Sequence, residues 1–227
     1  MSGARVVALV PMRHHSARVP GKNYRPLAGA PLFHYIVRTL LSCPSVDEIA
    51  IDTDSPAIRA SAAQAFPQVR LLERPEHLRA DEIPMTDVLA HDAAQVPADV
   101  YLQTHSTNPF LRADTIERAL AAWRADRARH DSLFTVTRLQ ARLWDHHGRP
   151  INHRLTQLLQ TQTLAPVFLE NSCLYIFPSE LIRAGRRIGE RPTLFELDPL
   201  EAIDIDEERD FALAQRLMAG LKQPVEA

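Results

Sequence analysis

Two clusters of side chains in this sequence could act together chemically. The first is Asp204-Ile205-Asp206. If the apolar alternation of Ala202-Ile203-Asp204-Ile205-Asp206 marks a strand, residues i and i+2 share a face, so both carboxylates converge on one point while Ile205 enters the core. Such a pair suits Mg²⁺, a hard cation that combines one or two carboxylates with waters and substrate phosphates. The alternative makes Asp206 the N-cap of a closing helix and Asp204 a charge at a strand end. The second cluster lies near the other end of the chain, in Pro11-Met12-Arg13-His14-His15-Ser16-Ala17-Arg18-Val19-Pro20-Gly21-Lys22-Asn23. Its guanidinium forks can grip phosphate oxygens in pairs, and Lys22 adds a mobile point charge. In composition this is a clamp for a nucleoside triphosphate, with a solvated basic loop as the alternative. The stretch has neither the Walker pattern nor G-x-G-x-x-G, which excludes those two phosphate-binding motifs. Adjacent His14 and His15 lack a third ligand at metal spacing.

The elements that would position these clusters alternate along the chain. Val6 to Val10 reads as a buried strand, and Leu32, Tyr35, Ile36 and Leu40 fall on one helical face. Glu48 to Asp52 is a second strand, Pro56 to Phe66 a helix opened by proline, and Val69 to Leu72 a third strand. Pro84 to Gln95, Val100 to Gln103, Asp114 to Trp123 and Leu133 to Val136 continue the pattern. From about Arg138 to Val167 it fails, in a stretch rich in His, Arg, Gln and Thr. Ser172 to Phe177 and Ala202 to Asp206 read as returning strands. A helix from Glu207 to Leu221 closes the chain, with Phe211, Ala214, Leu217 and Leu221 inward and Asp210 serving the helix itself. This succession implies an α/β fold, a three-layer sandwich with a mainly parallel sheet covered on both faces. The expected division is a core of residues 1–137 and 171–227 with an inserted arm at 138–170. Parallel sheets of this kind bind ligands at the carboxyl ends of their strands, where the loop beginning at Pro11 lies.

The chain has 227 residues, with 26 Lys plus Arg against 28 Asp plus Glu and a formal net charge of −2. No global field therefore calls for nucleic acid or a membrane surface, and a charged ligand must be met locally. Cys43 and Cys173 lie far apart without metal-ligand spacing, which reads as free thiols in the cytoplasm. The run Val6 to Val10 is too short for a signal-peptide core, and no stretch approaches the roughly 18 apolar residues of a spanning helix.

The opening loop also carries a resemblance. Arg13-x-x-Ser16-x-Arg18-x-Pro20-x-Lys22-Asn23, then Arg25-Pro26-Leu27 and Gly29-x-Pro31-Leu32, resembles the opening motif of the CMP-N-acetylneuraminate synthetases and the related 3-deoxy-manno-octulosonate cytidylyltransferases. Asp52-Thr53-Asp54 resembles the family's S-T-D, and Arg74-Pro75-Glu76-x-Leu78-x-x-Asp81 its R-P-x-x-L-x-x-D. Asp204-Ile205-Asp206-x-x-x-Asp210 resembles its S-I-D-I-D-T-x-x-D, whose aspartates bind metal. The resemblance implies a Rossmann-like, nucleotide-diphospho-sugar transferase-like fold, a dimer formed through the arm, and transfer of CMP from CTP to an acidic sugar with Mg²⁺ on Asp204 and Asp206.

On this reading Arg13, Ser16, Arg18, Lys22, Asn23, Arg74 and Gln103 meet CTP, and Arg13, Lys22, Asp204 and Asp206 are the catalytic set. Gln103, Thr107, Asn108, Gln160, Gln162, Asn171 and Ser172 are the candidates for the acceptor. The chain also departs from the family. Where sialic acid synthetases have R-P-N-G-A-I-Y, it reads Leu169-Glu170-Asn171-Ser172-Cys173-Leu174-Tyr175, without the arginine, and Gln160 replaces an arginine upstream. The alternatives are a non-catalytic nucleotide-binding subunit of the same fold and a cytidylyltransferase acting on a non-sugar acceptor such as a phosphonate.

Overall fold

A computed structural model describes residues 3–157 and 159–221. In chain order the elements are β1 (Val6–Met12), the short hairpin β2 (Pro26–Leu27) and β3 (Ala30–Pro31), α1 (Leu32–Leu41), β4 (Glu48–Thr53), α2 (Pro56–Ala65), β5 (Arg70–Glu73), α3 (Met85–Gln95), β6 (Val100–Thr104), α4 (Ala113–Ala125), β7 (Ser132–Leu139), β8 (Val167–Pro178), α5 (Ser179–Arg183), β9 (Pro192–Glu196) and α6 (Glu208–Leu221). Every residue of β1 is buried, as a strand with neighbours on both edges and layers on both faces requires. Its alternating side chains feed two cores. Val6, Ala8, Val10 and Met12 join Ile36 and Leu40 of α1, Ile58 of α2 and Trp123 of α4. Val7 and Leu9 join Leu89 of α3, Tyr101 of β6, Phe177 of β8 and Ile182 of α5.

The seven-stranded sheet has the order β5-β4-β1-β6-β8-β7-β9. The four strands from β5 to β6 run parallel, β8 is antiparallel to both β6 and β7, and β9 lies parallel to β7. The mainly parallel α/β sandwich expected from the sequence is therefore present, with one reversed strand inside it. Between β7 and β8 the register slips: Phe134 pairs with Tyr175 but Val136 with Glu170. The extra residues of β8 bulge outward, and Ser172 sits there with φ at 58°.

Several expectations need correction. Residues 202–206 form no strand; they run as irregular chain fixed by the Ile205 N–H donating to the Thr107 carbonyl at 2.9 Å and the Asn108 Nδ2 donating to the Ile203 carbonyl at 3.3 Å. Leu221 points to solvent rather than inward. The β7 and β8 ladder continues out to Leu139 and Val167, so the ends of the irregular stretch are themselves paired strand. Strand β9 and helix α5 lie in a region where no element was expected.

A third apolar cluster joins the site-bearing segments to one another. Val19, Leu27, Leu32, Phe110, Ile205, Phe211 and Ala214 pack together, so the first loop, the segment before α6 and α6 itself share one core. At the start of α6, Asp210 Oδ2 accepts the backbone N–H groups of Asp206 and Glu207 at 3.1 and 2.8 Å, satisfying donors that a helix leaves free. Arg25 lies 4.2 Å over the Phe211 ring. Replacing Phe211 with alanine is expected to cost about 3–5 kcal/mol by the cavity it leaves. Urea unfolding checks this, and a change below about 1 kcal/mol would mean that α6 is not anchored through this ring.

Candidate active site

The first loop leaves the carboxyl end of β1 and turns back on itself at Gly21, whose φ of 66° is in the left-handed region. A Cβ there would meet the Tyr24 ring at 2.9 Å, so the position needs glycine. The turn aims Lys22 across the cleft, where Nζ donates to the Ile205 carbonyl and to Asp206 Oδ1, the latter at 3.3 Å. Arg18 Nη2 donates to the same Asp206 oxygen at 2.9 Å. Asn23 is buried beneath the loop: its Nδ2 donates to the Arg13 carbonyl at 2.9 Å and its Oδ1 accepts the Ser106 hydroxyl at 2.7 Å. Ser16 Oγ accepts the Val19 N–H at 3.4 Å, and Arg13 pairs with Asp81. The loop is fixed to the end of β4 as well, because the His14 N–H donates to Asp54 at 2.7 Å and its ring meets Ser55 at 2.8 Å.

The two carboxylates opposite this loop differ in their surroundings. Asp206 is half-exposed and neutralised by Arg18 and Lys22. Among the described residues, the buried Oδ1 of Asp204 has no hydrogen-bond partner. Burial pushes its carboxyl above the usual range; a hydrogen bond from Thr107 pulls it back, and the charge of Asp206 adds to the rise. A buried, under-compensated carboxylate beside a second one is costly unless a cation shares the place. The donor set, all oxygen, fits a divalent cation such as Mg²⁺.

Both aspartates line a cleft of about 580 Å³ together with Arg13, Ser16, Arg18, Lys22, Asn23, Arg74, Thr107 and Ser172. Most of the residues singled out in the sequence thus meet in one place. Others do not line it. Gln103 is fully buried below the cleft wall, and Asn108 is buried where it holds the 203–206 segment. Asn171 bonds to Thr135 and Thr137 across the bulge. Gln160 and Gln162 are exposed on the irregular stretch.

Among the cleft residues that the sequence did not single out are a histidine and an arginine. His105 follows β6, and burial, aided by the charges of Arg187 and Lys22, pushes its imidazole down to about 4, so it is neutral near pH 7. Arg187 comes from the turn after α5, donates Nη1 to Gln103 Oε1 at 2.7 Å, and lies 3.7 Å over the Tyr175 ring. Neither has a spacing signal in the sequence; their partners become neighbours only through the pairing of β6 with β8.

Arg74 is not a surface residue. Its side chain is 3% exposed and paired with the fully buried Asp52. Asp92 lies beside Asp52, and burial together with the charge of Asp52 raises its carboxyl to about 9. With His91, these carboxylates place one donor atom each within 4.8 Å of one another, a spacing that could hold a metal ion. The Arg74 guanidinium and the Asp92 proton already balance the charge there, which favours a proton-sharing pair that fixes Arg74 at the cleft floor. An acid whose folded pKa is raised binds an extra proton in the folded state between its unfolded and folded values, so stability falls as pH rises through that window. Asp92→Asn is therefore expected to flatten the decline between about pH 5 and 8, by at most roughly 1.4 kcal/mol per pH unit. Urea unfolding at several pH values checks this, and an unchanged slope would place the proton elsewhere.

Comparison with known proteins gives a consistent picture. The chain is 29% identical over 224 residues to the CMP-N,N'-diacetyllegionaminic acid synthase of Legionella pneumophila, covering 94% of this chain and 96% of that protein. It is 25% identical over 219 residues to N-acylneuraminate cytidylyltransferase A of Danio rerio, covering 93% of this chain but only 50% of that longer protein. Among solved structures, a CMP:2-keto-3-deoxy-manno-octonic acid synthetase complexed with CTP superposes with a TM-score of 0.73 at 18% identity, over 96% of this chain and 100% of the other, a likeness of fold. The sequence model of the family described as cytidylyltransferase matches residues 7–223. With the match running from β1 through α6, the chain belongs to the cytidylyltransferase family.

Proposed function

We propose that this protein transfers CMP from CTP to the hydroxyl of an acidic sugar, a nonulosonic acid or a related 2-keto acid, with release of pyrophosphate. The observation that carries the reading is the convergence of Asp204, with its unpartnered buried oxygen, Asp206, Lys22 and Arg18 on one cleft at the carboxyl ends of the strands. The names of the relatives from Legionella pneumophila and Danio rerio support the acceptor class.

In this mechanism Arg13, Arg18 and Lys22 neutralise the triphosphate, Ser16 and Asn23 hold the loop around it, and Arg74 approaches from the cleft floor. Asp204 and Asp206 would hold Mg²⁺, which supplies charge neutralisation at the phosphates when bound. The acceptor hydroxyl attacks the α-phosphorus in line, losing its proton to solvent, as pyrophosphate departs. Such transfer asks the protein mainly for positioning and electrostatic stabilisation. His105, neutral near pH 7, adds no cation to this wall. A non-catalytic nucleotide-binding subunit would not need both Asp204 and Asp206 opposite Lys22, which disfavours that alternative.

The stretch between β7 and β8 exposes Trp144, Ile151, Leu155 and Leu159, and the adjoining Leu169 is exposed as well. Apolar exposure of this kind supports a homodimer formed through an arm at residues 138–170. The buried free thiols of Cys43 and Cys173 support a cytoplasmic place, and no described helix is long and apolar enough to cross a membrane.

Pyrophosphate release from CTP and Mg²⁺ over a panel of nonulosonic acids, 2-keto-3-deoxy sugar acids and phosphonates tests the reaction; tight CTP binding without turnover on any of them would favour the binding subunit. On the best acceptor, Asp204→Asn and Lys22→Ala are each expected to lower kcat/KM by roughly 10²- to 10³-fold. Asp204→Asn is expected to do so without loss of stability, because it removes a buried charge. Wild-type turnover in either variant would remove that residue from the chemistry. Sedimentation equilibrium is expected to give a dimer, and a monomer at assay concentration would contradict the role of the arm.

A further inference from the structure

The cleft has a second cationic wall that the triphosphate clamp does not use. Arg13, Arg18 and Lys22 all come from the loop after β1. Arg187 reaches the cleft from the turn after α5 and packs where β6 meets β8, since its contacts are Gln103 of β6 and Tyr175 of β8. Its side chain is 20% exposed, so it is a partly desolvated cation rather than a surface arginine. One edge is fixed by Gln103 Oε1 at 2.7 Å and one face by the Tyr175 ring at 3.7 Å. The nearest carboxylate, Glu170, stands 3.9 Å from Nη2, beyond hydrogen-bond distance, and is occupied by the Tyr175 hydroxyl. A guanidinium held on one edge and one face presents the rest of its fork in a fixed direction, an arrangement suited to paired recognition of a carboxylate. Ser172, turned out by the bulge of β8, lines the same end of the cleft.

We infer that Arg187, positioned by Gln103 and Tyr175, binds the carboxylate of the acceptor, and so supplies from the turn after α5 the cation that this chain lacks at residues 160 and 169. The inference rests on the acceptor being an acidic sugar, as proposed above. Gln103 then acts as a positioning residue: it is fully buried, with its Nε2 at 3.1 Å from His105 Nε2 and its Oε1 taken by Arg187.

The test uses the full chain with Mg²⁺ and a non-hydrolysable CTP analogue. N-acylneuraminate and 3-deoxy-manno-octulosonate are titrated calorimetrically, each as the free acid and as its methyl ester, which changes the carboxylate alone. The wild-type protein is expected to bind at least one acid about 10- to 100-fold more tightly than its ester, the range of a charge-assisted hydrogen-bonded pair. Arg187→Met should bind acid and ester alike with affinity for the CTP analogue unchanged, and Arg187→Lys should recover part of the preference. A loosened fold would instead weaken the CTP analogue as well. No acid preference in the wild type, or one that survives in Arg187→Met or is unaltered in Arg187→Lys, overturns the assignment. Failure of the transferase reading has a different signature: the acid preference is present and depends on Arg187, but no pyrophosphate is released when CTP replaces the analogue.

Discussion

The placement of Asp204 is the constraint around which the cleft is arranged. A carboxylate whose buried oxygen lacks a hydrogen-bond partner among the described residues raises the energy of the fold unless its position is imposed by other contacts. Those contacts are visible. The Ile205 side chain is locked into the cluster formed by Val19, Phe110 and Phe211, its N–H is held by Thr107, and Asn108 holds the carbonyl of Ile203. Apolar burial and two backbone hydrogen bonds thus hold a charge in an environment that disfavours it. The same apolar cluster holds the basic loop opposite, so the anionic and cationic sides of the cleft are built on one core and their spacing is set together.

The switch from parallel to antiparallel pairing at β8 gives the cleft its second half. Up to β6 the strands deliver their carboxyl ends to one edge, which collects the first loop, Arg74 and the residues after β6. Beyond β6 the reversed strand brings a bulge and Tyr175 to the same edge, and Arg187 lies on that ring. The cations are therefore divided between two walls built from different parts of the chain, one suited to a triphosphate and the other to a smaller anion. Between them, the Asp52, Arg74 and Asp92 group shows another use of burial: a guanidinium held by a carboxylate whose neighbour is pushed toward its protonated form by burial and by that carboxylate's charge.

Much of this was legible in the sequence where local pattern and tertiary demand agree. Val6 to Val10 is apolar throughout because both faces of β1 are covered, and Pro56 marks the start of α2 as a first-turn proline should. The alternation at Asp204-Ile205-Asp206 correctly placed the aspartates toward the cleft and Ile205 in the core. It misled only about the strand, because an extended segment pinned at Thr107 and Asn108 can show the same alternation without a ladder. Strand β9 escaped notice because a short strand that starts with proline at the sheet edge carries little signal. Arg187 could not be read at all: its meaning comes from Gln103 and Tyr175, which the sheet, not the sequence, makes its neighbours.

Asp204 and Asp206 are proposed to form together the divalent-cation site facing the first-loop clamp. Electron paramagnetic resonance of Mn²⁺ titrated into the protein with a non-hydrolysable CTP analogue observes that site without requiring turnover. A protein-bound Mn²⁺ signal is expected in the wild type and is expected to be lost in Asp204→Asn and in Asp206→Asn, while Asp92→Asn retains it. An unaltered signal in both Asp204→Asn and Asp206→Asn, or its loss in Asp92→Asn instead, would contradict the account and move the metal to another group of carboxylates.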